Sequence, residues 1–456
     1  MKIIVSLLLL VLYSSLLGEV TPSYIISDTS VIVSRCNTYI VEEEKSYFPI
    51  QWYEGYTAEG ELFGLTKWAP YAPSFEQAYG ELKIKDTYHR IKKIYEDSIA
   101  TGIILYNRLS NNEDEALVRK LVNEFNLEFY LTIYGMKNNR SYPLATFPPL
   151  FEEYKDNPRV NWYFNDDIHK ENWNNKSTEK FYNLLKERTP TKYLLSACSI
   201  LNYKGSEKYL LDYVDIIAPQ IYPCRKMFLI YKNLNEAIPE FYNHTKFHKS
   251  VLEGKKIVNE YNKRHSKKIY YFVTLATYHI NKKIGKLISR FPIYKEFRYQ
   301  FYDAIIGGAK GINIYCFYRS NKEAYENAKK IIKEFRQTGF EKAVILGKYY
   351  PQEIVNDSLL INNDIKDKYG KNLWDCDYTI YRYKNVYYLI ISNNSNIPYR
   401  VPIIFRHKKM KGVFEIFSNE NGLVEKVEYD VINGEKFLVR MEPYEIKLVT
   451  IQINEK

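Results

Sequence analysis

Two adjacent carboxylates, Asp166 and Asp167, directly follow the apolar, aromatic run V-N-W-Y-F at 160–164. Cleavage of a glycosidic bond needs one protonated carboxyl group that donates to the leaving oxygen, and a second carboxylate that acts as nucleophile or activates water. A carboxyl group that packs against aromatic rings beside another negative charge has a raised pKa, which keeps it protonated near neutral pH. This pattern predicts Asp167 as an acid/base residue, with Asp166 setting its charge or orientation.

The same two aspartates have simpler interpretations. They could cap the helix or turn that follows the strand. Asp166 and His169 could also begin a metal site, but the sequence offers no third ligand nearby, so we expect no metal. The five cysteines show no metal-type spacing either. The sequence predicts no cofactor.

The elements that must position these residues alternate between strand and helix patterns from about residue 46 to residue 338. Eight runs are rich in β-branched and aromatic residues and are mostly apolar on both faces, as buried parallel strands are. Amphipathic helix patterns separate them, and this alternation predicts a (β/α)8 TIM barrel. The predicted strands are 48–53, 102–106, 128–134, 160–164, 192–200, 214–222, 268–275 and 311–317, and the predicted helices include 87–99, 115–125, 178–186, 294–306 and 322–338.

The functional site of such a barrel lies at the carboxyl ends of its strands. Many of the residues at these predicted ends are aromatic or amide side chains. Aromatic faces stack on the C–H groups of sugars, and sugar hydroxyls need paired donors and acceptors, so the set predicts a carbohydrate site. Any single ring could instead pack the barrel. The predicted substrate-binding residues are Trp52, Glu54, Tyr106, Asn165, Gln220, Tyr222, Tyr278 and Tyr315.

The first 18 residues have the pattern of a secretory signal peptide. Lys2 precedes an apolar run of about ten residues, and S-S-L-L-G follows it, which predicts cleavage near Gly18. We therefore expect a secreted or cell-surface protein without a membrane span after cleavage. Glycosylation sequons are present and are acceptor sites only if the organism glycosylates. They begin at Asn139, Asn175, Asn243, Asn356 and Asn393.

The overall charge argues against a nucleic-acid partner. The formal net charge is +11, but the lysines are scattered and form no long basic run. This distribution is typical of a solvated surface of mixed charge. The sequence does not determine the oligomeric state.

The C-terminal region has a different pattern from the barrel. Residues 375–456 alternate apolar and polar positions in short runs that are separated by turn signals, which predicts a small antiparallel β-sandwich. The expected organisation is a signal peptide at 1–18, an N-terminal extension at 19–45 with one or two strands, the barrel at 46–338 and the sandwich domain at 339–456.

The chain resembles the secreted (β/α)8 glycoside-hydrolase-like proteins that carry a C-terminal β-sandwich. Their fourth strand reads N-P-x-x-x-x-W-Y-L-x-D-E-P, which corresponds to N-P-R-V-N-W-Y-F-N-D-D-I from Asn157. The resemblance covers most of residues 46–450 and implies a glycan-binding cleft at the barrel mouth. The other matching phrases are Y-F-P-I-Q-W-Y at 47–53, D-I-I-A-P-Q-I-Y-P from Asp215, R-Y-Q-F-Y-D-A-I-I-G-G-A-K-G-I from Arg298 and M-E-P-Y-E-I from Met441.

Three departures from the family pattern bear on catalysis. The Glu of strand four is the shorter Asp167 here, the Asp of strand six is Gln220, and no Glu follows strand seven. Glu54 and Glu76 are the possible second carboxylates. Two functions therefore stay open: a glycoside hydrolase, or a non-catalytic carbohydrate-binding or cell-surface protein on a degenerate barrel. A third class is a structural envelope protein or a protein that binds an anionic polymer.

Overall fold

The structure is a computed structural model. Two short strands, Tyr24–Ile25 and Val31–Ile32, pair antiparallel within the predicted N-terminal extension. Among the described residues, no helix combines the length and the apolar character that crossing a bilayer requires. The structure describes residues 24–25, 31–32, 47–54, 87–105, 112–132, 149–164, 175–197, 207–227, 240–277, 287–315, 320–349, 376–396, 398–404, 410–418, 423–432 and 436–453.

The predicted (β/α)8 barrel is confirmed. Each of the eight predicted strands contains a strand of the parallel sheet, in the predicted order. The seventh strand has two parts: Tyr270–Tyr271 pairs with the sixth strand, and Val273–Ala276 pairs with the eighth. Because the eighth strand also pairs with the first, the sheet closes on itself. The other strands are Ile50–Glu54, Gly102–Leu105, Glu128–Thr132, Val160–Phe164, Leu194–Ser196, Ile216–Ile217 and Ile312–Tyr315.

Helices follow the strands along the chain and cover the outside of the barrel. Their amphipathic spacing predicted five of the described helices, whereas four had no prediction: Pro149–Tyr154, Glu207–Asp212, His244–Arg264 and Phe340–Leu346. The longest of these, His244–Arg264, packs on the seventh strand through its buried face. The remaining helices are Thr87–Glu96, Asn112–Glu124, Asn175–Arg188, Tyr294–Ile306 and Lys322–Gln337.

Alternate residues of each barrel strand belong to two separate apolar clusters. One cluster takes side chains from all eight strands and from no helix, so it fills the inside of the barrel. The other combines the opposite face of the strands with the helices and forms the outer layer. On the first strand, for example, Tyr53 lies inside and Trp52 outside. This assignment decides which side chains can face a ligand.

The C-terminal region forms the predicted antiparallel sandwich. A six-stranded sheet and a three-stranded sheet share an apolar core that includes Leu389, Val413 and Val439. The larger sheet contains Lys348–Tyr349, Cys376–Tyr383, Val386–Asn393, Met410–Ser418, Val424–Glu428 and Ile446–Ile453, and the smaller contains Tyr399–Ile404, Val431–Ile432 and Lys436–Met441. A further antiparallel pair joins Arg225–Met227, which follows barrel strand six, to Leu287–Ser289, which follows strand seven.

A buried ionic network joins the barrel helices to the sandwich. The Arg298 guanidinium donates to Glu334 Oε1 at 2.9 Å and to the Ile446 carbonyl at 2.6 Å. The Tyr302 hydroxyl also donates to Glu334 Oε1, and the Ser418 backbone N–H donates to Glu334 Oε2. Both domains therefore supply donors to one buried carboxylate, which fixes the sheet on the helices.

Candidate functional site

Four tyrosines lie together inside the barrel near the carboxyl ends of its strands. Tyr53 meets Tyr163 edge to face at 5.6 Å between ring centroids, and the two hydroxyls are 3.2 Å apart. Tyr53 also meets Tyr315 at 5.2 Å, and Tyr315 stacks on Tyr222 at 6.1 Å. These four residues, Tyr53, Tyr163, Tyr222 and Tyr315, are called the tyrosine cluster below.

The strand pairing explains why these rings converge. Tyr53 and Tyr163 are each the fourth residue of a five-residue strand, and Tyr315 is the last residue of strand eight. Because side chains alternate along a strand, the inward position nearest the carboxyl end of each strand points into the same layer. Tyr53 and Tyr163 are fully buried, whereas Tyr222 and Tyr315 are half-buried. The cluster thus runs from the packed interior toward the solvent.

Gln220 is held beside this cluster by strand pairing. It forms an isolated parallel bridge with Thr274 of the seventh strand. The Thr274 N–H donates to the Pro219 carbonyl, and the Thr274 hydroxyl donates to the Ala218 carbonyl. The Ile221 N–H also donates to the Thr274 carbonyl, so the backbone is fixed on both sides of Gln220, whose side chain is half-buried. The stacked rings of Tyr222 and Tyr315 show that these two predicted binding residues lie together, and Gln220 precedes Tyr222 by two residues.

Two other predicted binding residues lie on the opposite face of the first strand. Trp52 is fully buried in the outer layer, where its ring is 5.7 Å from that of Tyr325 on the helix Lys322–Gln337. Glu54 is also fully buried and accepts a 2.6 Å ion-pair bond from Arg90 on the helix Thr87–Glu96. Since both side chains point away from the interior, we remove them from the candidate site. Their roles here are packing and charge pairing between strand and helix.

The remaining predicted residues lie outside the described residues. Two described segments end at Phe164 and at Thr277, close to the predicted carboxyl ends of strands four and seven. The residues concerned are Tyr106, Asn165, Asp166, Asp167 and Tyr278, together with Glu76 and His169.

Tyr53 and Tyr163 belong to the site although the sequence-based set omitted them. A strand that is buried on both faces gives no polar alternation from which its inner face could be read. By that criterion Trp52 and Tyr53 are equally good candidates for the inward-facing position of strand one. The usable signal is the inward residue one position before the strand end, provided that the strand boundary is already known.

One buried group of metal-binding residue types also lies beside the barrel. Cys224, His244 and Glu296 are close together, but Glu296 is already saturated: it accepts two hydrogen bonds from Arg290 and one each from the Phe241 and Ile293 N–H groups. Burial raises the pKa of Glu296, but the hydrogen bonds and charge of Arg290, the charge interaction with His244 and the Ile293 N–H together hold the pKa below its usual value.

The thiol of this group is equally unsuited to metal binding. Burial and the neighbouring Glu296 carboxylate raise the pKa of Cys224, which disfavours the thiolate form that binds metals. A cation would also have to displace the Arg290 guanidinium. Within this group Glu296 caps the helix Tyr294–Ile306 by accepting from the Ile293 N–H, and we assign no metal to the group.

Comparisons with known proteins give information on the fold. No protein-family model matches the sequence, and no curated protein matches it. A solved glycoside hydrolase is 10% identical, with 90% of this chain and 94% of that chain covered and a TM-score of 0.50. A family 5 glycoside hydrolase from Bacteroides vulgatus is 13% identical, with 90% of both chains covered and a TM-score of 0.48.

At such low identity the likeness to the first of these structures shows the fold alone. That fold is a (β/α)8 barrel followed by an antiparallel sheet, which agrees with the strand pairing described above. Barrels of this kind support many chemistries, so the function has to be argued from the site.

Proposed function

We propose that this protein is a secreted glycoside hydrolase that binds a glycan at the carboxyl end of its barrel. The observation that carries the proposal is the tyrosine cluster. Its half-buried rings, Tyr222 and Tyr315, offer apolar faces to sugar C–H groups, and tyrosine hydroxyls can both donate and accept. Gln220, two residues before Tyr222, is also half-buried, and an amide can pair with two sugar hydroxyls.

In this proposal Asp167 is the acid/base residue and Asp166 sets its charge or orientation. Both follow strand four, whose inward residue Tyr163 belongs to the tyrosine cluster. A general acid in this position accelerates glycosidic cleavage by about 10²–10⁴-fold. The resemblance of the strand-four phrase to that of glycosidase-like barrels supports the same assignment.

The presence of a second catalytic carboxylate distinguishes a hydrolase from a non-catalytic protein on the same barrel. Glu54 was a candidate for that role, but it is ion-paired with Arg90 in the outer layer. Among the described residues at the carboxyl ends of the barrel strands, no inward side chain is a carboxylate. This favours, as a second candidate function, a protein that binds glycans on a barrel without cleaving them.

The decisive experiment is a glycan screen with the full chain that records binding and product release separately. We expect Asp167→Asn to reduce product release by about 10²–10⁴-fold and to leave saturable glycan binding in place. Asp166→Asn is the matched control, because it neutralises the adjacent carboxylate by the same chemical change. We expect a smaller loss from it.

Each outcome of this screen separates the candidates. Binding without release by the unsubstituted chain would identify the non-catalytic protein. Equal cleavage rates in Asp167→Asn and the unsubstituted chain would overturn the catalytic assignment. Thermal unfolding of each variant shows whether a lost activity follows from lost structure.

Export is part of the proposal, and the fold determines which sequons are accessible for glycosylation. Asn243 is exposed, so its sequon is available on the folded chain. Asn393 is fully buried; its amide donates to the Glu442 carbonyl and accepts from Ser395. A glycan on Asn393 is therefore incompatible with this fold. Sequencing the N-terminus of the mature protein tests cleavage near Gly18.

A further inference from the structure

His248 lies between the barrel and the sandwich, with an aspartate near each ring nitrogen. Its Nδ1 is 2.8 Å from Asp303 Oδ1 on the barrel helix Tyr294–Ile306. Its Nε2 is 4.0 Å from Asp377 Oδ2 on the first long strand of the sandwich. Asp303 is fully buried, and the side chain of Asp377 is about one-third exposed. One imidazole thus faces carboxylates from both domains.

A chain of neutral hydrogen bonds completes the contact. Asn394 Nδ2 of the sandwich is 3.2 Å from His248 Nε2, and the Tyr299 hydroxyl donates to Asn394 Oδ1 at 2.9 Å. Thr245, one turn before on the same helix as His248, donates to the Asn394 carbonyl. With His248 neutral, its Nδ1–H donates to Asp303 and its Nε2 accepts from the Asn394 amide.

Protonation of His248 changes this arrangement. The new Nε2–H needs an acceptor, and the Asn394 amide group supplies one if it rotates by 180° so that its oxygen faces the ring. Tyr299 can then accept from the rotated amide nitrogen. The charged ring is also attracted to Asp377 across the domain boundary. Both protonation states can therefore be satisfied, but only the charged state adds an ionic contact with the sandwich.

We propose that His248 is a proton-controlled latch between the two domains: its charged imidazole bridges Asp303 of the barrel and Asp377 of the sandwich, and its neutral form releases the bridge to Asp377. The inference does not depend on the proposed glycosidase function. It concerns how firmly the sandwich is held on the barrel.

The charges around the ring set the direction of the pH dependence. Burial lowers the pKa of His248, but Asp303, and to a smaller extent Asp377, raise it above its ordinary value of 6.5 despite the opposing Lys249. The contribution of the charged ring is thus fully present below pH 6.5 and is lost as the pH rises through the folded-state pKa. Lys255, two turns further along the same helix, also interacts with Asp377. Burial lowers the pKa of Lys255.

His244, one turn away on the same helix, is a natural control. It is fully buried among the rings of Phe241, Tyr299 and Tyr444, and burial lowers its pKa to about 4. Its contribution is present above pH 6.5 and is lost as the pH falls toward 4, which is the opposite sign. His244→Gln and His248→Gln should therefore change the pH dependence of unfolding in opposite directions.

The test is a double-substitution cycle on the full chain with His248→Gln and Asp377→Asn. Urea unfolding at pH 5.5 and at pH 8.5 gives the coupling between the two side chains. We expect a coupling of at least about threefold in the folding equilibrium constant at pH 5.5, and none at pH 8.5. A coupling that is equal at both pH values would overturn the proposal.

A second measurement covers the case in which His248→Gln fails to fold. NMR of the full chain, labelled with ¹³C-histidine, follows the titration of the His248 ring directly. We expect its midpoint above 6.5, and a lower midpoint in the single variant Asp377→Asn, whose partly exposed side chain tolerates substitution. A midpoint at or below 6.5, or one unchanged by Asp377→Asn, would refute the latch.

Discussion

The inside of the barrel and the boundary between the two domains are both buried, but they differ in the polar groups that they keep. Among the described residues, the tyrosine hydroxyls at the carboxyl end of the barrel are neutral, and Tyr53 donates a hydrogen bond to Tyr163. At the domain boundary charged groups join the neutral hydrogen bonds, and the Glu334 carboxylate accepts bonds from Arg298, Tyr302 and Ser418. The second region thus contains a buried carboxylate with three donors.

This difference indicates which region is suited to bind a ligand and which region holds the two domains together. A buried carboxylate that is saturated by three donors cannot accept a ligand without losing partners, and the loss of one partner costs several kcal/mol. A tyrosine hydroxyl can exchange one neutral hydrogen bond for another at little net cost. The charged network therefore fixes the sandwich on the helices, and the proposed sugar site is at the neutral tyrosine cluster.

The largest expected effect is at the domain boundary. Glu334→Gln removes the charge that compensates the buried Arg298, so we expect the free energy of unfolding to fall by about 3–5 kcal/mol. Urea unfolding at neutral pH measures the loss. The control is Glu96→Gln, which removes an exposed partner of Lys92 and should cost less than about 0.5 kcal/mol. Equal losses in the two variants would show that the network does not hold the domains.

A smaller effect is expected in the tyrosine cluster, and it concerns binding rather than stability. Tyr222→Ala removes a half-buried ring from its stack with Tyr315, so we expect about tenfold weaker glycan binding, or about 1.4 kcal/mol. Trp52→Phe is the matched control, because its ring lies in the outer layer against Tyr325. Calorimetric titration with a glycan from the screen compares the two. Weaker binding by Trp52→Phe but not by Tyr222→Ala would place the site elsewhere.

The barrel was predictable because its signal is long-range and repeated. Eight apolar runs with helix patterns between them fit few other folds, and the structure confirms their order and pairing. The helix His244–Arg264 was not predicted. Its buried face includes the polar His244 and His248, which weaken the apolar periodicity on which a sequence-based assignment depends.

The site was only partly predictable for a related reason. Tyr222 and Tyr315, which stack on each other in the structure, were predicted because they follow or end strands, and strand ends are marked by a change in composition. Trp52 and Glu54 were chosen from the wrong face of strand one, since a strand that is buried on both sides does not reveal which parity points inward. The partner of Glu54, Arg90, is 36 residues away in sequence, and only the folded chain shows the pairing.

The smallest effect tests whether the hydroxyl pair inside the barrel is structural. Tyr53→Phe removes one side of a neutral hydrogen bond and leaves the ring contacts with Tyr163 and Tyr315 in place. We expect a loss of about 0.5–1.5 kcal/mol in the free energy of unfolding in each single variant, Tyr53→Phe and Tyr163→Phe, and a loss in the double variant that is smaller than the sum, because both substitutions break the same bond. Fully additive losses would show that the bond between the two hydroxyls contributes nothing to stability.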